Sequence, residues 1–294
     1  MTKEVYVFEV QDLSYRYPGQ VNGLKNVNCC IPEGKRTVIM GQNGAGKSTL
    51  LWTLTGVLRP HQGRVLFQEK PLDYSKPGLT YLRSRVGLVM QNPDTQVFCP
   101  TVYQDVAYGP TNSGLLKHEI EDRVKWALQA VGASHLVERP VPFLSFGEKQ
   151  KVALAGVLAM RPSVILLDEP ASGLDAAGVE SLFSELDRLH SQGVTLVMTT
   201  HDIDLAWSWA DYFIIMDRGT TVWEGDFSEL SQDPHLLFEF GLKPPVVTVV
   251  HESLLKIGFI PPSLPRPRHI RDLISAIATE SPSKKVREWI ASRP

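Results

Sequence analysis

One stretch constrains this chain more than any other. Gly41-Gln42-Asn43-Gly44-Ala45-Gly46-Lys47-Ser48-Thr49 fits the phosphate-binding loop pattern G-x-x-x-x-G-K-[ST]. That pattern needs a strand before it and a helix after it. Arg36–Met40 reads as a short buried strand and Lys47–Thr55 as a helix. Successive backbone N–H groups and the positive end of the helix then converge on one concavity suited to phosphates. Gly41, Gly44 and Gly46 permit conformations and close approaches that a Cβ would block. Lys47 has the reach to hold a nucleotide's outer phosphates, and the Ser48 hydroxyl can bind the Mg²⁺ that bridges them. A Gly-rich turn without a ligand is the plain alternative, and the strand, the helix and the Lys-Ser pair together weigh against it.

A second piece of such a site follows far along the chain. Val164-Ile165-Leu166-Leu167 is an apolar run of the kind buried in a parallel sheet, and it ends in Asp168-Glu169. Acids at the carboxyl end of a parallel strand lie at the crevice where such sheets bind ligands. Asp168 is placed to hold Mg²⁺, directly or through water, and Glu169 to orient and deprotonate an attacking water. Strand ends commonly carry acids, so the pair carries weight only beside Gly41–Thr49.

Patterning divides the rest. Val5–Tyr17 and Leu24–Ile31 alternate as strands, and Arg64–Gln68 with Arg85–Met90 is expected to form a strand pair beyond the first helix. From Gln91 to Arg161 the signals turn helical. Thr101-x-x-Gln104 has the form of a capping box opening a short helix that Gly109-Pro110 should stop; His118–Val131 and Ser145–Met160 follow. Sheet patterning then returns in alternation: helix Ala176–His190, strand Val194–Thr199, helix Leu205–Trp209, strand Tyr212–Met216. Lys243-Pro244-Pro245 marks a break, after which Val249–Ile257 and His269–Ala278 look helical around the Pro-rich Pro261–Arg268. They fit a small docking element, with a simple surface tail as the alternative.

Composition narrows the function class. A formal net charge of −2 over 294 residues gives no positive field for nucleic acid. The longest apolar run, Val152–Met160, falls well short of the roughly 20 residues a membrane helix requires. Any membrane contact is therefore expected through partners. Met1–Val10 lacks the basic start and apolar core of a secretion signal. Cys29, Cys30 and Cys99 suit reduced packing residues of a cytosolic protein better than a disulfide framework or a metal site.

Leu144-Ser145-Phe146-Gly147-Glu148 brings in a family. From about Val5 to Leu242 the chain resembles the ATP-binding cassette ATPases, whose signature is L-S-G-G-Q, with their motifs in the family's order. The resemblance implies an α/β fold: a P-loop (RecA-like), mainly parallel sheet core, an antiparallel β subdomain, a helical subdomain insert and a small C-terminal helical extension. It implies a nucleotide-binding domain over 1–243, with the insert at about 92–161 and the extension over 244–294. Carried over by position, Tyr17 would stack on adenine, and Gln91 would sense Mg²⁺ and the γ-phosphate. Ser145 and Gly147 would bind the γ-phosphate of a second subunit's ATP, with Glu148 at the end of the same nucleotide-binding stretch Ser145–Glu148. Asp175 closes the subunit-crossing turn Ser172-Gly173-Leu174-Asp175, and His201 matches the switch histidine. Phe146 and Glu148 depart from the signature. Phe146 keeps its N–H, which serves phosphate only if its φ is negative. Ser145-x-x-Glu148 is also a capping box on the helix that follows.

Within that family, Gln91–Phe98 and Thr101–Pro110 look like the glutamine loop of the energy-coupling-factor importers, and Leu144–Met160 most like the ATPase of their cobalt and nickel members. The resemblance implies ATP and Mg²⁺ as cofactors and a second ATPase subunit, with a homodimer sufficient. It also implies a transmembrane coupling protein, a substrate-capturing membrane component, and a place on the cytoplasmic face of the membrane. A C-terminal extension helps the ATPases of that group dimerise. Val97 and Phe98 admit two readings, lining of a groove for a membrane partner's helix or core of the insert. Alternatives are a vitamin importer's ATPase and a soluble cassette ATPase of DNA repair or translation. The repair type needs a long heptad coiled coil and the translation type two cassettes, and neither is written here.

Overall fold

The computed structural model describes residues 5–19 and 21–280. The expected extension over 244–294 is therefore described to residue 280, with 281–294 outside the described residues, and the stretch Met1–Val10 from Val5.

Two sheets carry the fold. Tyr6–Arg16 (β1), Asn22–Pro32 (β2), Gln62–Phe67 (β4) and Lys70–Pro71 (β5) form an antiparallel sheet in the order β2-β1-β4-β5. The second sheet is built from Arg36–Met40 (β3), Val86–Val89 (β6), Val164–Asp168 (β7), Thr195–Thr200 (β8), Tyr212–Asp217 (β9) and Thr220–Asp226 (β10). Its order is β10-β9-β3-β8-β7-β6, parallel throughout except for the β9–β10 hairpin. Both its faces are buried, as the unbroken apolar runs require. Val38, Ile165, Leu167, Leu196, Met198, Phe213 and Ile215 join the core on the helical side. Ile39, Val164, Leu166, Val197 and Ile214 join the core shared with the antiparallel sheet.

The expected pairing of Arg64–Gln68 with Arg85–Met90 is not formed. The first strand, β4, pairs with β1 and β5, while β6 pairs with β7 in the other sheet. Lys76–Arg85 (α2) separates them, capped by Ser75 Oγ accepting the Gly78 N–H at 3.2 Å. This helix carries little periodic signal because Leu82 is its one buried side chain.

Lys47–Leu54 (α1) follows β3 as read from the sequence. The insert holds Val102–Asn112 (α3), Lys117–Ala130 (α4) and Phe146–Leu158 (α5) around a common core that includes Val106, Val124, Leu128, Val152 and Leu158. Helix α3 runs through Gly109-Pro110 and ends two residues later. A proline so near the end forfeits one hydrogen bond, and Pro110 is buried, so packing outweighs the loss. Ala176–Ser191 (α6) and Ile203–Trp209 (α7) complete the βαβ alternation.

Phe227–Gln232 (α8), Leu236–Glu239 (α9), Val246–Lys256 (α10) and Ile270–Glu280 (α11) end the described chain. The last two dock on the rest of the molecule. Val247, Ile260 and Leu273 enter the main core, Trp207 Nε1 donates to the Pro267 carbonyl at 3.1 Å, and the Arg268 guanidinium lies 3.7 Å from the Phe227 ring centroid. Among the described residues, no helix is long and apolar enough to cross a membrane.

Candidate active site

Register brings three loops to one edge of the sheet. Met40 lies opposite Thr200, and Asp168 opposite Thr199, so the chain leaves β3, β7 and β8 at the same level. The phosphate loop, Glu169 and His201 emerge there together. They line an open cleft of about 350 Å³ with Tyr17, Asn43, Gly44, Gly46, Lys47, Ser48, Thr49 and Gln91. Val21, Asn22 and Gly23 line it as well, and nothing in their sequence singled them out.

The glycines of the loop are needed for different reasons. A Cβ on Gly41 (φ +150°) would sit 2.3 Å from the Met216 carbonyl oxygen, and one on Gly46 (φ +101°) 2.8 Å from that of Gly23. Gly44 has open space around it and is constrained by its φ of +82° alone. The loop is braced from behind by the β9–β10 turn, where the Gly219 N–H donates to the Ala45 carbonyl at 3.0 Å. Ala45 itself packs in the core and its N–H donates to the Gln42 carbonyl at 3.1 Å, so its side chain stands apart from the cleft.

Behind the loop the charged groups are tied together. The Lys47 ammonium is buried, donating to the Gly41 carbonyl at 2.9 Å and to the Gln42 carbonyl at 3.3 Å, with Glu169 Oε1 at 3.6 Å. Ser48 Oγ and Thr199 Oγ1 both donate to Asp168 Oδ1, at 2.9 and 2.7 Å. Thr199 Oγ1 also accepts the Glu169 N–H at 2.9 Å. Glu169 is held at φ +47°, a conformation costing a residue with a side chain on the order of 1 kcal/mol. Its Oε2 lies 2.9 Å from His201 Nδ1. Thr199 thus holds both acids in place, a role the alternation of a buried strand does not reveal.

Ser145, Gly147, Glu148 and Asp175 are elsewhere, around a separate cavity of about 260 Å³ that shares no residue with the cleft. The capping box forms: Ser145 Oγ accepts the Glu148 N–H at 3.3 Å, and the Ser145 N–H donates to Glu148 Oε2 at 2.7 Å. Phe146 begins α5 with negative φ, so its N–H points out of the helix end as the pattern demands. Its ring covers Gly173 of the S-G-L-D turn. Asp175 caps α6, accepting the Gly178 N–H at 2.7 Å. Two ion pairs flank the signature: Arg139 with Glu148 at 2.9 Å, and Lys149 with Asp94 of the glutamine loop at 2.6 Å. Of Val97 and Phe98, the first is core and the second is 64% exposed, its ring edge-on to Tyr108 at 4.9 Å.

The chain is similar to known proteins in sequence and in fold. A family model described as "ABC transporter" matches residues 24–172. The energy-coupling factor transporter ATP-binding protein EcfA of Methanocaldococcus jannaschii is 44% identical over 87% of this chain and 92% of its own length. The cobalt import ATP-binding protein CbiO of Rhodobacter capsulatus is 45% identical over 82% of this chain and 86% of its own length. Among solved structures, cbiO1 from Clostridium perfringens, part of the ABC transporter complex cbiONQ, superposes with TM-score 0.72 at 40% identity, covering 85% of this chain and 100% of the other. The dimeric post-hydrolysis state of the cassette MJ0796, bound to ADP and Pi, superposes with TM-score 0.68 at 27% identity, covering 75% and 98%. The motifs, the convergence of the phosphate loop, Glu169 and His201 at one sheet edge, and these likenesses lead to one conclusion: the chain belongs to the ABC transporter family, as an ATPase of the energy-coupling-factor type.

Proposed function

We propose that this chain is the ATP-hydrolysing subunit of an energy-coupling-factor importer that takes up a transition-metal ion, cobalt or nickel. It works as a dimer with two composite ATP sites on the cytoplasmic face of the membrane. One observation carries the dimer: the phosphate loop with Glu169 and the signature with Asp175 line two clefts that have no residue in common. Each chain then brings one half of a site to its partner's other half, and the likeness to the dimeric ADP-bound cassette supports that pairing. The metal-ion cargo rests on the likeness to the cobalt import protein.

Tyr17 would stack on the adenine at the mouth of the cleft. The loop Gly41–Thr49 would cradle the phosphates, with Lys47 turning from the Gly41 and Gln42 carbonyls to the outer ones. Glu169 would take the proton of a water as its oxygen attacks the γ-phosphorus and the bond to the bridging oxygen breaks. His201, bonded to that carboxylate, would orient the group. The donor set near Ser48 fits Mg²⁺: hydroxyl and carboxylate oxygens already 2.9 Å apart, with Gln91 on the same cleft. Bound there, the ion would neutralise charge on the phosphates.

The proposed contact with a membrane partner is a groove of about 330 Å³ lined by Val57, Leu88, Phe98, Tyr108 and Met160. Its aromatic rim stands out from a subunit that has no spanning helix among its described residues. The nucleotide-binding unit is taken as 1–243, and 244–294 as an extension that supports dimerisation.

Replacing Glu169 with Gln should leave ATP affinity intact, slow hydrolysis about 100-fold or more and trap an ATP-bound dimer visible by light scattering. Hydrolysis at the normal rate would refute its role. Uptake of radiolabelled Co²⁺ or Ni²⁺ into vesicles carrying the chain and its co-purifying membrane proteins tests the cargo. Uptake of a labelled vitamin instead would replace it.

A further inference from the structure

Glu148 places a carboxylate where the signature pattern has a neutral glutamine. Its Oε2 is fixed over the first turn of α5 by the Ser145 N–H at 2.7 Å. On the dimer reading given above, that helix end meets the polyphosphate held by a second copy of the chain. An uncompensated carboxylate there repels the phosphates. It stays ionised, because the Ser145 N–H holds its carboxyl below the usual carboxylate range and the charges of Arg139 and His135 add to that.

The counter-charge is specific and anchored. Arg139 Nη1 donates to Glu148 Oε1 at 2.9 Å, and Nη2 reaches the Phe143 carbonyl at 3.5 Å. The backbone of Arg139 is fixed at both ends, its carbonyl accepting the Val102 N–H of α3 at 3.1 Å and its N–H donating to Leu136 at 2.8 Å. Arg139 and Glu148 are nine residues apart and outside any shared helix, so packing of the insert brings them together.

We propose that Arg139 is a charge-compensating positioning residue: by pairing with Glu148 it lets an acidic signature accept the polyphosphate of a second copy of this chain. The inference rests on the two-subunit reading and adds a residue outside the signature to it. Two features follow. The guanidinium leaves Glu148 Oε2 free to keep capping Ser145, so compensation does not cost the helix its cap. With the glutamic acid replaced by glutamine, the same arginine becomes dispensable.

The test is a double-mutant cycle on the full chain, reading kcat/KM for ATP and ATP-driven dimerisation. Arg139→Gln should lower both about tenfold, the effect of one uncompensated charge at a partly screened site. Arg139→Lys should retain most of both, and Glu148→Gln in the Arg139→Gln background should restore them to within about threefold. If Arg139 merely supports the loop at Phe143, Glu148→Gln will rescue nothing, and that result overturns the proposal. Ser145→Arg separates the proposal from the reading beneath it. If Ser145→Arg abolishes turnover while the double variant stays impaired, compensation alone fails. If Ser145→Arg and Arg139→Gln both leave turnover and dimerisation intact, the two-subunit reading fails.

Discussion

Gly41 and Gly147 are both motif glycines, and the chain treats them in opposite ways. At Gly41 a Cβ would collide with the Met216 backbone of the same chain, and its φ of +150° is one that residues with side chains avoid. At Gly147 a Cβ would make an ordinary contact, 3.6 Å from a Leu174 methyl, on a helical backbone. The phosphate loop is built tightly into its own chain, braced by Met216, Gly219 and Gly23. The signature is a helix end with space in front of it, held from behind by its capping box and its ion pairs. A glycine its own chain does not require makes sense where something outside the chain approaches closely.

Breaking the tight side should give the largest effect. Gly41→Ala must displace the loop from Met216, and ATP affinity measured by titration with a fluorescent analogue should fall at least about 100-fold. An unchanged affinity would show that the loop adapts and that the close fit is incidental.

Thr199→Val probes the same side one layer deeper. It removes the hydroxyl that bonds both Asp168 and the Glu169 N–H and leaves that N–H with the longer bond to the Thr199 carbonyl, 3.2 Å. Turnover should drop about tenfold through misplacement of Glu169, with ATP affinity within about threefold, and stability should fall by about 1–3 kcal/mol. Steady-state kinetics and a melting curve separate the two.

On the open side, Gly147→Ala sharpens the contrast. Helix propensity should make the single chain equally or slightly more stable, by up to about 1 kcal/mol, while ATP-driven dimerisation weakens about tenfold. Loss of stability in the isolated chain would mean that the space is not free after all.

The smallest effect concerns pH. Glu148 has a folded-state carboxyl below its ordinary value of 4.5, so the unfolded chain binds its proton first. Its contribution to stability is complete above about pH 4.5 and is lost as pH falls through the depressed value. Glu148→Gln should therefore flatten the acid limb of a stability profile and leave neutral pH nearly unaffected. An unchanged acid limb would mean that the capping carboxylate contributes nothing there.

Most of the candidate site is legible in the sequence because its motifs are local. Lys47 and Ser48 stand in one loop, Asp168 and Glu169 at the end of one apolar strand, and each signal lies within a few residues. The errors fell where local signals were weak or overruled. Helix α2 buries one leucine and shows little periodicity. The β9–β10 hairpin turns at Arg218-Gly219, both with positive φ, and its second strand has mixed burial without clear alternation. Pro110 stops no helix because it is buried within one turn of its end.

Taken alone, the sequence determined the phosphate loop, the paired acids, the parallel-sheet alternation and the capped signature helix. Chain geometry and hydrophobic period act over a handful of residues, so these can be read in one dimension. Only the tertiary structure decided that β4 leaves for the antiparallel sheet, that Thr199 and Gly219 brace the site, and that Arg139 faces Glu148. It also put the signature in a cleft apart from the phosphate loop. Those outcomes depend on which surfaces pack together across long separations in the chain, and packing carries no period that a sequence displays.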